Sequence, residues 1–271
     1  MTIAWLPWAL LAAATACALI KRQVGLWLAL SALVMGVATG VVAALYAFGL
    51  VLLAGLLHLT DRLPQGGRVW VHIATSLFVL TSALHLIPGT ESVIVVADYQ
   101  KSPDSGLYTL GLSFDKTIAP LALLILLPDM VCARRVPVNI VAQAFVTAGG
   151  TLALLSLSWG MGYIRPALAV PAWTWLFIVK MLCFTTFAEE VIFRGYLQNL
   201  MVKKWGAARG VTAAALLFGV AHFGGGVPYV MLASLAGLVY GLAYHLSGRL
   251  WVAIASHTAL NTAHFVFFTL P

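Results

Sequence analysis

Long apolar runs separated by short polar or charged segments set the pattern of this chain. A hydrocarbon layer about 30 Å thick takes about 20 consecutive apolar residues in a helix, so these runs have the length of membrane spans. The pattern predicts an all-α fold, a polytopic membrane helical bundle with about eight to ten transmembrane helices. The predicted spans are residues 3–20, two within 24–58, 69–86, 118–131, 140–159, 172–200, 211–223, 229–245 and 250–270.

The first two runs each allow an alternative interpretation. The run at 3–20 is followed by Lys21 and Arg22 but lacks a basic leading region and a small-residue cleavage site, which favours a retained span over a signal peptide. Residues 24–58 are uncharged and long enough for a tight hairpin of two spans that turns near residues 36–40. One long tilted helix is the alternative.

The longest polar connection, residues 88–116, is predicted to be an external loop. Its segments 93–96 and 107–114 flank the turn sequence Pro-Asp-Ser-Gly at 103–106, which indicates a β-hairpin that could cap a cavity. The predicted organisation is one membrane domain. Residues 1–139 would form an N-terminal scaffold that includes this loop, and residues 140–271 a catalytic core.

Composition supports the membrane assignment, because 62% of the residues are hydrophobic and 8% are charged, whereas soluble domains carry about 25% charged residues. The net charge of +7 comes from basic residues dispersed between the apolar runs. This pattern sets membrane topology and does not indicate a nucleic-acid partner. The three cysteines, Cys17, Cys132 and Cys183, are widely spaced in apolar runs, so we expect packing residues and no disulfide framework or metal site.

Two of the three glutamates in the chain are adjacent, Glu189 and Glu190, and Arg194 follows within the same apolar run. A charged side chain at the bilayer centre costs roughly 2.5–3.5 kcal/mol, so the cluster indicates function. Glu190 and Arg194 are spaced for an ion pair on one helical face. Glu189 points about 100° away, into surroundings that suit a general base. The alternative is a helix end at the interface, where these charges are solvated.

A second candidate is His222, which lies four residues after Phe218 and is followed closely by three consecutive glycines, residues 224–226. A histidine in an apolar helix is more often a packed, hydrogen-bonded residue, and this is the expectation for His72, His85 and His245. The glycines should end the helix and let a substrate backbone approach the imidazole.

The third candidate is a pair, His257 and Asn261, that shares one helical face, with His264 a further turn along. Two hydrogen-bond donors on one face suit the stabilisation of a developing oxyanion. The alternative is hydrogen bonding between helices, which contributes about 0.6–2 kcal/mol in membranes and is common.

In this order, Glu-Glu-x3-Arg, Phe-x3-His and His-x3-Asn over residues 172–268 resemble the CPBP family of intramembrane proteases, which includes prenyl CAAX endopeptidases and bacteriocin-processing members. The resemblance implies that Glu189 activates a water molecule together with His222, and that His257 and Asn261 form the oxyanion site. The supporting residues would be Glu190, Arg194 and Phe218, with Glu190 holding Arg194. The first 140 residues match no part of this motif set.

The expected function is therefore an intramembrane endopeptidase that hydrolyses a peptide bond near the membrane-anchored, C-terminal part of its substrate. The partners would be a membrane-anchored protein or peptide and the lipid bilayer. Prenylated C-termini, sorting tails and peptide precursors all fit as substrates. The expected location is a bacterial cytoplasmic membrane, with a multi-pass chain.

Three other functions are weighed against this one. Two glutamates and two or three histidines could ligate zinc, but no His-Glu-x-x-His motif is present, so a metal-free mechanism without a cofactor is favoured. A proton-coupled transporter could use the same side chains, but its polar residues would recur in both halves of the chain. A non-catalytic membrane scaffold is the third.

Overall fold

The computed structural model describes residues 5–131 and 139–270, and Cys132 lies outside the described residues. The structure is mostly helical, 75%. The α-helices are α1 Leu6–Ala18, α2 Arg22–Ala38, α3 Ala44–Leu59, α4 Gln65–Ala83, α5 Phe114–Leu126, α6 Pro128–Val131, α7 Ile140–Ala144, α8 Gly150–Gly160, α9 Thr174–Lys180, α10 Thr186–Glu190, α11 Asn199–Trp205, α12 Ala207–Val220, α13 Gly226–Ser247 and α14 Leu250–Phe267. π-helical segments Phe145–Gly149, Met181–Thr185 and Val191–Gln198 continue these helices.

A β-hairpin departs from the predicted all-α class. Strands β1 Ser92–Gln100 and β2 Leu107–Ser113 pair in a two-stranded sheet. The predicted hairpin in the polar connection is thereby confirmed, and the fold is mainly helical with one hairpin. The physical reason is local, since β-branched and aromatic residues favour extended backbone on both sides of a Pro-Asp-Ser-Gly turn.

A hairpin of two helices within residues 24–58 is also confirmed, by α2 and α3, while their membrane crossing stays a prediction. Gly40 adopts a positive φ of 78° in the turn between them, a conformation that glycine adopts at little steric cost. The backbone N–H of Val42 donates to the carbonyl of Gly36 at 3.0 Å and closes the turn. The alternative of one long tilted helix is therefore wrong.

Within the described residues, three helical stretches are long and apolar enough to cross a membrane: Ala44–Arg62, Val141–Gly160 and Phe223–Ser247. Shorter apolar helices include Leu6–Ala18, which has 13 residues. At 1.5 Å per residue such a helix extends about 20 Å, less than the hydrocarbon thickness. The apolar helices identify a membrane protein, while the number of eight to ten spans stays a prediction.

The described residues divide into two compact units. The first contains residues up to Ile94, together with Gly111–Pro128 and Cys183–Ile192. Its helix α5 is largely buried, and Phe114 there is fully buried and meets the Trp8 ring edge-on at 5.7 Å. The segment that carries Glu189 and Glu190 therefore belongs to the same unit as the N-terminal helices.

The second unit contains the described residues of Val95–Leu110, Asp129–Leu182 and Phe193 onwards. Its hairpin residues pack on the end of α14. Lys101 donates hydrogen bonds to the carbonyls of Phe265 and Phe268, which are among the last carbonyls of that helix and favour a cation. Burial lowers the pKa of Lys101 to about 8. The hairpin thus fixes the end of the helix that carries His257 and Asn261.

Candidate active site

Glu189 lies on α10 in the first unit and is bound by a lysine that the sequence analysis did not assign to the site. Its side chain is buried, and its Oε1 accepts a hydrogen bond from Lys116 Nζ at 2.7 Å. The prediction that Glu189 lies in surroundings that suit a general base stays a prediction, and the lysine was no part of the predicted site. An ammonium at this distance favours the charged carboxylate and fixes one of its oxygens.

The residue before Lys116 makes a second polar contact in the same unit. Asp115 is buried, and both of its carboxylate oxygens lie 3.0 Å from His85 Nδ1. His85 is hydrogen-bonded, as expected, but its side chain is 48% exposed rather than packed. The first turn of α5 thus joins a buried carboxylate to a histidine that reaches solvent.

Glu190, the second acid of the pair, is 0% exposed on α10. A carboxylate at this depth is stable only with hydrogen-bonding or charged partners. The chain continues from α10 into the π-helical segment Val191–Gln198, which contains Arg194. The predicted pairing of Glu190 with Arg194 stays a prediction.

Arg194, in the second unit, is 1% exposed and has aromatic surroundings. Its guanidinium carbon lies 4.3 Å from the centre of the Phe218 ring and 5.3 Å from that of Tyr240. Nη2 donates to the carbonyl of Gly237 at 3.1 Å. Cation–π contacts and a charge-assisted hydrogen bond therefore hold the arginine inside the fold.

His222 lies just beyond the end of α12, at Val220, and the short 3-10 helix Phe223–Gly225 follows it. The helix thus ends at Val220, before the glycines where the sequence predicts its end, and Gly226 begins α13. Nδ1 of His222 lies 2.7 Å from the carbonyl oxygen of Phe218. Since a carbonyl only accepts, Nδ1 carries the proton in this contact, and Nε2 is the acceptor nitrogen of the neutral ring.

His257 is buried on α14 against the aromatic residues that surround Arg194. Its ring stacks on Tyr240 with centroids 4.3 Å apart and an angle of 16° between the planes. The Phe218 ring meets His257 edge-on at 5.7 Å and lies 4.5 Å from His222. Phe218 therefore contacts His222, His257 and Arg194, and Tyr240 contacts the last two of these.

Asn261, one turn beyond His257 on α14, donates through Nδ2 to the thioether sulfur of Met181 at 3.6 Å. A thioether is a weak acceptor, so a substrate carbonyl oxygen would be a stronger partner for the amide. His264 has a different role, because its Nε2 lies 3.0 Å from the Thr269 carbonyl beyond the end of the helix. Asn261 and His264 therefore differ in their partners, a thioether sulfur for Asn261 and a backbone carbonyl for His264.

Close contact between α12 and α13 depends on Gly219. A Cβ atom there would lie 1.9 Å from Ser234 Oγ and 2.6 Å from the Val230 carbonyl oxygen, so we expect Gly219→Ala to push the helices apart and lower the melting temperature in detergent by several degrees. Gly224→Ala is the matched control, since a Cβ atom there meets nothing within 4 Å. Equal melting temperatures for both variants would contradict this account of the helix contact.

Sequence reasoning missed Lys116 and Tyr240. The only signal for Lys116 in the sequence was its position at the border between a polar connection and a predicted span. Nothing in the sequence distinguished Tyr240 from other aromatic residues.

For zinc, the described residues offer no group of three His, Cys, Asp or Glu side chains arranged to hold a metal ion. No step of the proposed reaction is therefore assigned to a metal.

A comparison with family models matches residues 171–263, about a third of the chain, to the family described as Type II CAAX prenyl endopeptidase Rce1-like. No curated protein and no solved structure matches the chain. The matched range contains all the motif residues quoted for the resemblance, which are Glu189, Glu190, Arg194, Phe218, His222, His257 and Asn261. It leaves Lys116 and the hairpin outside.

Proposed function

We propose that this chain is an intramembrane protease of the CPBP family, which the match of residues 171–263 to the Rce1-like family supports. It would cleave a peptide bond near the membrane-anchored, C-terminal part of a protein or peptide substrate. The observation that carries the proposal is a carboxylate, Glu189, that is buried in an apolar protein and accepts a hydrogen bond from Lys116 at 2.7 Å. A buried carboxylate held in one orientation suits a general base.

In the proposed reaction, Glu189 and His222 activate one water molecule, a pairing taken from the family resemblance. The carboxylate accepts a proton from water while the water oxygen bonds to the carbonyl carbon of the scissile peptide. The proton then passes to the peptide nitrogen as the C–N bond breaks. One water molecule is consumed, and the products are a new carboxyl terminus and a new amino terminus.

The hydrogen bond of His222 supports its part in this step. Because Nδ1 is engaged with the Phe218 carbonyl at 2.7 Å, the neutral ring presents Nε2 as an acceptor to water. Proton transfer by a positioned side chain contributes roughly 10²- to 10⁴-fold to a rate. The imidazole therefore has the tautomer that assistance to a general base requires.

His257 and Asn261 are proposed to stabilise the negative charge that develops on the carbonyl oxygen. The stack of His257 on Tyr240 limits the rotation of the imidazole, and the weak thioether contact of Asn261 can be exchanged for a substrate oxygen. Preorganised donors of this kind require little rearrangement during the reaction.

A zinc-dependent protease is the second candidate, and a chelator separates the two. The purified protein in liposomes is given a peptide with a prenylated C-terminal anchor and the same sequence with an acyl anchor, and the products are identified by mass spectrometry. We expect cleavage of an anchored peptide that persists in chelator. Loss of cleavage in chelator and its return with zinc would favour the metal mechanism, and no cleavage by folded protein would contradict both.

The proposed location is the bacterial cytoplasmic membrane, with a multi-pass chain. The proposed partners are the lipid bilayer and a membrane-anchored substrate, because helices apolar enough to cross a membrane would share the bilayer with the substrate's anchor. The anchored-peptide comparison tests whether the substrate must carry a prenylated C-terminus.

A further inference from the structure

We propose that Lys116 is a positioning residue for Glu189, a role that rests on the proposed function. Lys116 itself lies outside the residues matched to the family. The basis is the contact of 2.7 Å between Lys116 Nζ and Glu189 Oε1. The two side chains are 24% and 11% exposed, so water screens the contact only partly. Each residue comes from a different helix, α5 and α10.

The backbone under Lys116 is fixed on both sides. Phe114 and Thr117 are 0% exposed, and Asp115 is 1% exposed. Thr117 also donates its hydroxyl to the Ser113 carbonyl at 3.1 Å, across the start of the helix. A lysine normally loses much rotamer freedom when its ammonium is held in one place, but here its Cα is already immobile. The ammonium is therefore brought to Glu189 with little further ordering.

The adjacent contact between Asp115 and His85 strengthens this anchor. The backbone N–H of Lys116 donates to Asp115 Oδ1 at 2.8 Å, and Asp115 is in turn held by His85. The acidic side chain in the first turn of α5 also suits the positive end of the helix dipole. His85 and Asp115 thus maintain the start of α5 from which Lys116 extends.

The titratable groups in this part of the first unit are Lys116, Asp115, His85, Glu189, Glu190 and Tyr46, which interacts electrostatically with Asp115. Lys116 contacts Glu189, whereas the sequence predicts that the neighbouring Glu190 pairs with Arg194. A hydrogen-bonded ammonium directs one carboxylate oxygen and favours the charged form from which a proton can be accepted. When the carboxyl group has taken the proton, its attraction to the ammonium weakens, which aids return of that proton to the leaving nitrogen.

The test compares Lys116→Met, which keeps length without charge, with Lys116→Arg, which keeps the charge. The measured quantities are kcat, KM and the pH profile of cleavage of an anchored peptide by full-length protein in liposomes. For Lys116→Met we expect kcat to fall about 10- to 100-fold at pH 7 with KM little changed, and the acidic limb of the profile to move to higher pH. Lys116→Arg should recover most of the rate and the original profile.

Lys21→Met is the matched control, since Lys21 is exposed in the same unit and should leave rate and profile unchanged. If Lys116→Met does not accumulate in the membrane, Lys116→Gln takes its place in the same comparison with Lys116→Arg. A wild-type rate and profile without the charge would overturn the inference, as would equal losses for the charged and uncharged variants.

The proposed function itself is tested separately by Glu189→Gln. An inactive Glu189→Gln beside a fully active Lys116→Met would reject the positioning role and leave the protease intact. A fully active Glu189→Gln would reject the proposed mechanism itself, whatever Lys116→Met does.

Discussion

Glu189→Gln should lower kcat/KM for cleavage of an anchored peptide by about 10²- to 10⁴-fold, the range expected when a general base is removed. Glutamine has nearly the same size, and its side-chain oxygen can still accept from Lys116, so the local packing is kept. What is lost is the ability to take a proton from water. The measurement is cleavage by purified protein in liposomes, with membrane insertion and melting temperature checked in parallel.

Glu91→Gln provides the matched control. Glu91 is the one glutamate outside the Glu-Glu pair, and it is exposed just before β1. The same chemical change there should leave kcat/KM within about twofold, because water and salt screen the charge of an exposed carboxylate. Equal activity of Glu189→Gln and Glu91→Gln would contradict the role given to Glu189.

The second large effect is expected for Arg194→Leu, which should lower the free energy of unfolding by about 3–5 kcal/mol. The guanidinium lies over Phe218 and Tyr240, a desolvated cation–π arrangement that contributes about 2 kcal/mol or more. Its removal also leaves the buried Gly237 carbonyl without this donor, which costs about 1–3 kcal/mol. The measurement is unfolding in mixed detergent micelles.

Arg209→Leu is the control for this substitution, because Arg209 is exposed on α12 and its replacement should change stability by about 0.5 kcal/mol or less. Arg194→Lys should recover only part of the loss, since lysine lacks the planar fork that stacks and donates at once. A variant Arg194→Leu as stable as Arg209→Leu would show that the contacts around the guanidinium contribute little.

Much of the helical architecture follows from the apolar pattern. The spans predicted at 69–86, 211–223 and 250–270 correspond to α4, α12 and α14 with shifts of a few residues at their ends. Length and hydrophobicity are enough for this, because a span must satisfy its own backbone hydrogen bonds. Gly40 likewise marks the turn between α2 and α3, since a positive φ there suits glycine.

The parts that escaped prediction depend on contacts between distant segments. Lys116 and Glu189 are 73 residues apart, and a periodic pattern carries no information about which polar residues meet across helices. For the same reason the stack of Tyr240 on His257 had no signal. The π-helical segments around Glu189 and Arg194 were also missed, because hydrophobic periodicity was taken as that of a regular α-helix.

The most direct test of the central claim compares protein termini in the native host. Wild type, Glu189→Gln and Glu91→Gln are expressed side by side, and the C-termini and anchor regions of membrane proteins are measured by mass spectrometry. The account predicts that uncleaved precursors accumulate with Glu189→Gln alone, and their sequences would identify the substrate. Identical termini in all three strains, with Glu189→Gln stably inserted, would contradict proteolysis and direct attention to proton transport through the buried charged groups.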